Sequence, residues 1–156
     1  MRTCWVLDHP AHVRLLAPFV RSGSTSDVLI ATDRKEVHQL LDASEGVLPK
    51  RQHLWVQRPI GSKRVRIAWK RMRTVRSFLK KAQRSGGPIE RIVCIGSSLE
   101  LRAAKRLKIA KRWYISDTEV NHLAHRLAIG AATDVLIPTH WDCLLYTSDA
   151  ADECDS

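Results

Sequence analysis

The chain of 156 residues is 44% hydrophobic and 27% charged, a balance that fits one globular domain and excludes intrinsic disorder. No apolar run approaches the roughly 20 residues that span a bilayer, and Met1-Arg2-Thr3 leads into a strand-like run rather than a signal peptide. The net charge of +10 is the outlier, and it admits nucleic acid, anionic lipid or an acidic substrate as a partner.

Cys4-Trp5-Val6-Leu7 is a short apolar, β-prone run that stops at Asp8, and Pro10 fits the first turn of a following helix. Val13, Leu15, Leu16, Phe19 and Val20 recur at helical spacing, and Gly23 ends the pattern. Val28 to Ala31 reads as a strand covered on both faces, and Thr32-Asp33 as the cap of a helix carrying Val37, Leu40 and Leu41. Leu54-Trp55-Val56 is a weaker third strand. A basic helix is expected over Ser62 to Arg84, with Val65, Ile67, Met72, Val75, Phe78 and Leu79 as its apolar stripe and Trp69 buried in it. Ten Lys and Arg residues lie between Lys63 and Arg84, without one acid among them. Gly86-Gly87-Pro88 breaks the helix. Ile92 to Ile95 is a fourth strand ending at Gly96-Ser97-Ser98, and Leu99 to Leu107 a helix. Trp113 to Ile115 is a fifth strand, Ser116-Asp117-Thr118-Glu119 caps a helix through Ile129, and Val135 to Ile137 is a sixth strand.

The string from Cys143 to Glu153 breaks with everything before it, since four of the sixteen acids fall between Asp149 and Asp155. It resembles the translation of a transposase-adapter DNA used in sequencing libraries. The expected division is therefore a native domain over 1–142 and a non-native tail over 143–156, with the reading frame cut near Asp142. Without the tail, 26 basic residues face 12 acidic ones, a net charge of +14.

Strands alternating with helices imply an α/β fold: a Rossmann-like parallel sheet of about six strands with helices on both faces and right-handed crossovers. The expected order is 3-2-1-4-5-6, which sets the switch point between strands 1 and 4, where the Asp8–His12 and Gly96–Ser98 turns would face each other. The four cysteines show no metal-binding or redox spacing. Cys4 and Cys94 read as buried thiols, which suits a reducing, cytoplasmic setting.

Several chemistries lack their motifs. There is no G-x-G-x-x-G after strand 1, no P-loop, no G-x-S-x-G elbow and no zinc-type His/Cys cluster, so neither cofactor nor metal is expected. Polar residues at strand ends remain: Asp8, His9, His12, Ser97, Ser98, Asp117, Glu119 and Asn121. Singly, each has a structural reading, as a helix cap or a partner of a helix dipole. Their convergence at one sheet edge points to a site.

The pattern D-H-P-A-H-V after strand 1, G-S-S after strand 4, and S-D-T-E followed by A-T-D-V-L-I-P resembles the DUF354 family over nearly all of Cys4 to Pro138. That family is one of uncharacterised proteins held to be similar to GT-B glycosyltransferases; more distantly the pattern resembles MurG-type glycosyltransferases and UDP-N-acetylglucosamine 2-epimerases. By that resemblance, His12 matches the histidine closing the first turn of MurG-type enzymes, and Glu119 and Asn121 match a later Glu and Asn. The glycines of that first turn are replaced by Asp8, His9 and Pro10, and Val120 stands where those enzymes carry Gln.

The resemblance implies the N-terminal, acceptor-side half of a GT-B fold. His12, Glu119 and Asp117 would be catalytic, and Asp8, His9, Pro10, Ser97, Ser98 and Asn121 would bind substrate. The partners would be a nucleotide-sugar donor, held mainly by a C-terminal domain, and a glycan or lipid-linked acceptor. The basic segment 63–84 would rest on an anionic membrane surface at the cytoplasmic face. The chain alone is expected to be inactive. An epimerase would instead rely on Asp117 and Glu119 without an acceptor, and a nucleic-acid binder would rely on the charge.

Overall fold

A computed structural model describes residues 1–43, 51–116 and 122–137. Its elements run β1 (Thr3–Leu7), α1 (Pro10–Ser22), β2 (Val28–Thr32), α2 (Lys35–Ala43), β3 (Gln52–Val56), α3 (Arg64–Gly86), β4 (Arg91–Ile95), α4 (Ser98–Arg106), β5 (Lys111–Ile115), α5 (His122–Ile129) and β6 (Asp134–Leu136). The six strands form one parallel sheet in the order β3-β2-β1-β4-β5-β6, as the alternation predicts. This is a Rossmann-like α/β fold. The expected tail, 143–156, lies outside the described residues.

The continuous apolar runs are explained by burial on both sides. Side chains alternate across a strand, so Cys4, Val6, Val28, Ile30, Ile92 and Cys94 face one core while Trp5, Leu7, Leu29, Ala31, Val93 and Ile95 face the other. The first core is closed by Met72, Val75, Leu79 and Ala82 of α3 with Leu101, Ala103 and Ala104 of α4. The second is closed by Val13, Leu16, Ala17 and Val20 of α1 with Val37 and Leu41 of α2. Register is fixed by these patterns; Trp5 pairs with Leu29 on one side and Val93 on the other. No helix among the described residues is long and apolar enough to cross a membrane.

Two expectations about helix faces fail. Leu15 and Phe19 of α1 are exposed, as are Val65 and Trp69 of α3. A helix turns 100° per residue, so a buried stripe centred on Val75, Leu79 and Ala82 leaves Trp69 on the outward flank, while Val65 shares the azimuth of Met72 and Leu79 but stands in the first turn of α3, where residues 61–66 are all exposed. The inward position one turn before Val75 is instead filled by Arg71.

The amino-terminal edge of the sheet is closed by buried guanidinium groups that satisfy helix-end carbonyls. Arg2 donates to the carbonyls of Ser26 (2.6 Å), Ala82 (2.8 Å) and Gly87 (2.7 Å). Arg51 donates to Val20 O at the end of α1 at 2.8 Å. Asp27 accepts from Thr3 N at 2.9 Å and from the Trp5 indole at 3.0 Å. At Gly86 a Cβ would come within 2.7 Å of the Arg2 guanidinium, so a larger residue there would have to displace that group from its carbonyls.

Leu79→Ala, at a fully buried position, is expected to cost about 2–5 kcal/mol of unfolding free energy in urea titration. Leu15→Ala, on the exposed side of α1, should stay within about 0.5 kcal/mol of the wild type.

Candidate functional site

The carboxyl ends of β1 and β4 meet at the point where strand order reverses, the usual ligand position of open α/β sheets. Asp8 follows β1 immediately and does not cap α1. That role falls to His9, whose Nδ1 accepts from Ala11 N at 3.3 Å, with Pro10 in the first turn behind it. A neutral imidazole accepting at Nδ1 carries its proton on Nε2, so exposed His9 presents a donor. His12 lies one turn on, buried, with its ring centroid 5.7 Å from that of His9.

Asp8 is held from three sides. The Thr32 hydroxyl, at the end of β2, donates to its Oδ1. Arg71 Nη2 donates to Oδ1 at 2.9 Å, and Ser97 Oγ donates to Oδ2 at 3.0 Å. Thus Thr32 does not cap α2, and Ser97, although at the N-cap position of α4, makes no side-chain cap bond. Both hydroxyls are spent on Asp8, so the predicted juxtaposition of the first turn with Gly96–Ser98 is present as a hydrogen bond. Ser98 opens α4 beside it, half-buried. Gly96 has φ +61, a left-handed conformation that glycine adopts without strain.

Arg71 also donates through Nε to Glu100 Oε1 at 2.6 Å, and its side chain is only 4% exposed. One guanidinium therefore serves two carboxylates, from β1's end and from α4. Burial pushes the Asp8 carboxyl up, but Arg71, Thr32 and Ser97 outweigh it, and Asp8 is held below the ordinary carboxylate range. Glu100 is fully buried; desolvation raises it, Arg71 opposes, and nearby Asp8 raises it further, so the net direction is up. Its Oε2 is buried without a hydrogen-bond partner. The two acids thus differ by environment: Arg71, Thr32 and Ser97 favour the ionised form of Asp8, while full burial disfavours the ionised form of Glu100.

Neither Arg71 nor Glu100 stood out in the sequence. A signal existed for Arg71, since it sits four residues before Val75 and eight before Leu79, on the apolar stripe. Further along the same sheet edge, buried Ser116 at the end of β5 lies 3.1 Å from His125 of α5. At the end of β2, Asp33 pairs with His38 at 2.8 Å, and the His38 ring stacks on Trp55. Asp117, Glu119 and Asn121 lie outside the described residues. Cys4 and Cys94 are buried in the core, and burial pushes both thiols well above their ordinary range, so they are inert packing groups.

The fold defines the class: a Rossmann-like α/β domain with a polar turn at its switch point. No protein-family model matches the chain, and no curated protein matches it.

Removing Arg71 leaves buried Glu100 and half-buried Asp8 without their shared cation, so Arg71→Ala is expected to cost about 3–5 kcal/mol. Asp8 has a lowered folded-state pKa; its contribution is present above about pH 4 and is lost as pH falls through the folded value. Glu100 has a raised one; its contribution is complete below about pH 4 and is lost as pH rises through the folded value. Urea midpoints recorded across pH should therefore lose their acid-side slope in Asp8→Asn and their decline on the rising side in Glu100→Gln.

Proposed function

We propose that this chain is the acceptor-side domain of a glycosyltransferase of the GT-B type, with its chemistry at the β1–α1 turn. The observation that carries the reading is the Ser97–Asp8 hydrogen bond, which ties the β4 turn to the β1 turn at the switch point, with the His9 and His12 rings following in that turn 5.7 Å apart. The family resemblance supplies the reaction class. A nucleotide-sugar would enter from a second domain and an acceptor hydroxyl from this one.

In such a transfer the acceptor oxygen forms a bond to the anomeric carbon as the bond from that carbon to the diphosphate breaks. The acceptor proton passes to a base of near-neutral pKa, and the electron pair leaves with the diphosphate. His12 is assigned the base. His9 has committed its Nδ1 lone pair to the helix cap and offers Nε2–H, which suits hydrogen bonding to a sugar or phosphate oxygen. Asp8, saturated by Arg71, Thr32 and Ser97, fixes the turn and is a positioning residue. Glu119, Asp117 and Asn121 keep the supporting roles that the resemblance gives them.

The test is labelled-sugar transfer by a full-length protein that carries this domain. His12→Ala should lower turnover about 10²–10⁴-fold with an unchanged thermal midpoint. Wild-type activity in that variant would sink the assignment. Conversion of UDP-N-acetylglucosamine without any acceptor would replace a transferase with an epimerase.

A further inference from the structure

Of the ten cations between Lys63 and Arg84, Arg71 alone turns inward; the other nine are exposed. Arg66, Arg73, Lys80 and Arg84 recur at seven- and four-residue spacings, so they line one outward ridge of a helix about 34 Å long. A straight cationic ridge without a carboxylate is complementary to an extended anionic surface. Two classes of surface meet that description, a polyanionic nucleic acid and an anionic bilayer.

The apolar residues beside the ridge discriminate between them. Val65 is 76% exposed, Trp69 58%, and Ile60, in the loop leading into α3, 65%. Val65 and Trp69 lie four residues apart and so share a face. The Arg73 guanidinium stacks over the Trp69 ring at 4.7 Å, presenting a cation and an indole together. An exposed indole would stack on a base, but exposed aliphatic side chains gain nothing from nucleic acid. All three gain from the interfacial layer of a bilayer, where Trp and basic side chains concentrate.

We propose that the outer face of α3 docks on an anionic lipid bilayer, with Ile60, Val65 and Trp69 entering the interface and the cationic ridge resting on the headgroups. The apolar end is the amino-terminal end of the helix, two residues from Arg71, which binds Asp8. Docking therefore sets the strand ends around Asp8 close to the lipid surface. This surface stands on its own observations, whether or not the β1–α1 turn transfers a sugar.

The experiment is flotation of the chain with phosphatidylcholine vesicles, with and without phosphatidylglycerol, at low and high salt. Binding should require the anionic lipid and weaken with salt. Val65→Ser with Trp69→Ala should reduce partitioning about tenfold without shifting the thermal midpoint, since both side chains are exposed. Leu15→Ala, on the other side of the sheet, should leave partitioning unchanged. Equal binding to vesicles with and without phosphatidylglycerol, or binding to neither, would overturn the proposal. So would retention of full binding by the Val65/Trp69 variant, or displacement from vesicles by a stoichiometric oligonucleotide, which would assign the ridge to nucleic acid.

Discussion

The guanidinium of Arg71 is the contact on which the site depends. It comes from α3, reaches Asp8 at the end of β1 and Glu100 inside α4, and is nearly sealed from solvent. Three elements far apart in sequence are thereby held by one charged group in a low-dielectric setting. Such an arrangement is poor evidence for net stability, because the desolvation of three charges offsets much of their attraction. Its effect is on geometry. With the carboxylate fixed at both oxygens, the backbone entering α1 has one setting, and so do the two histidines that follow.

The two edges of the sheet use polar groups differently. At the amino-terminal edge, Arg2 and Arg51 spend their donors on backbone carbonyls, closing helix ends that would otherwise be unsatisfied. At the carboxyl edge, side chains bond to side chains: Thr32, Ser97 and Arg71 to Asp8, Asp33 to His38, and Ser116 to His125. The first edge is a structural seam. The second holds titratable groups in contact with one another.

Much of this fold could be read from the chain alone. Short apolar runs separated by glycine, proline and cap residues leave little choice but alternating strands and helices, and right-handed crossovers limit the strand order. Helix faces were less legible. Leu15, Phe19, Val65 and Trp69 suit a buried stripe by residue type, yet they are exposed: helix rotation turns Leu15, Phe19 and Trp69 outward, and Val65 stands in the exposed first turn of α3. Asp8 and Ser97 were visible as strand-end polar residues, but not their bond to each other. Arg71 and Glu100 were hidden for a different reason. Arg71's place on the apolar stripe is its one local mark, and an acid within a helix carries none; only the packing of α3 against α4 on one face of the sheet reveals that each is the other's partner.

The opposite surfaces of α3 are linked by rotation. Arg71 pins the helix near its start and Arg2 holds its last carbonyls, so the cylinder can neither slide nor roll without breaking an ion pair at one end or a cap at the other. Its outward azimuth is therefore set from within. A substitution at Glu100, wholly enclosed, would tilt which basic side chains crown the exterior. The internal pairing thus works as an alignment key for a surface it never touches.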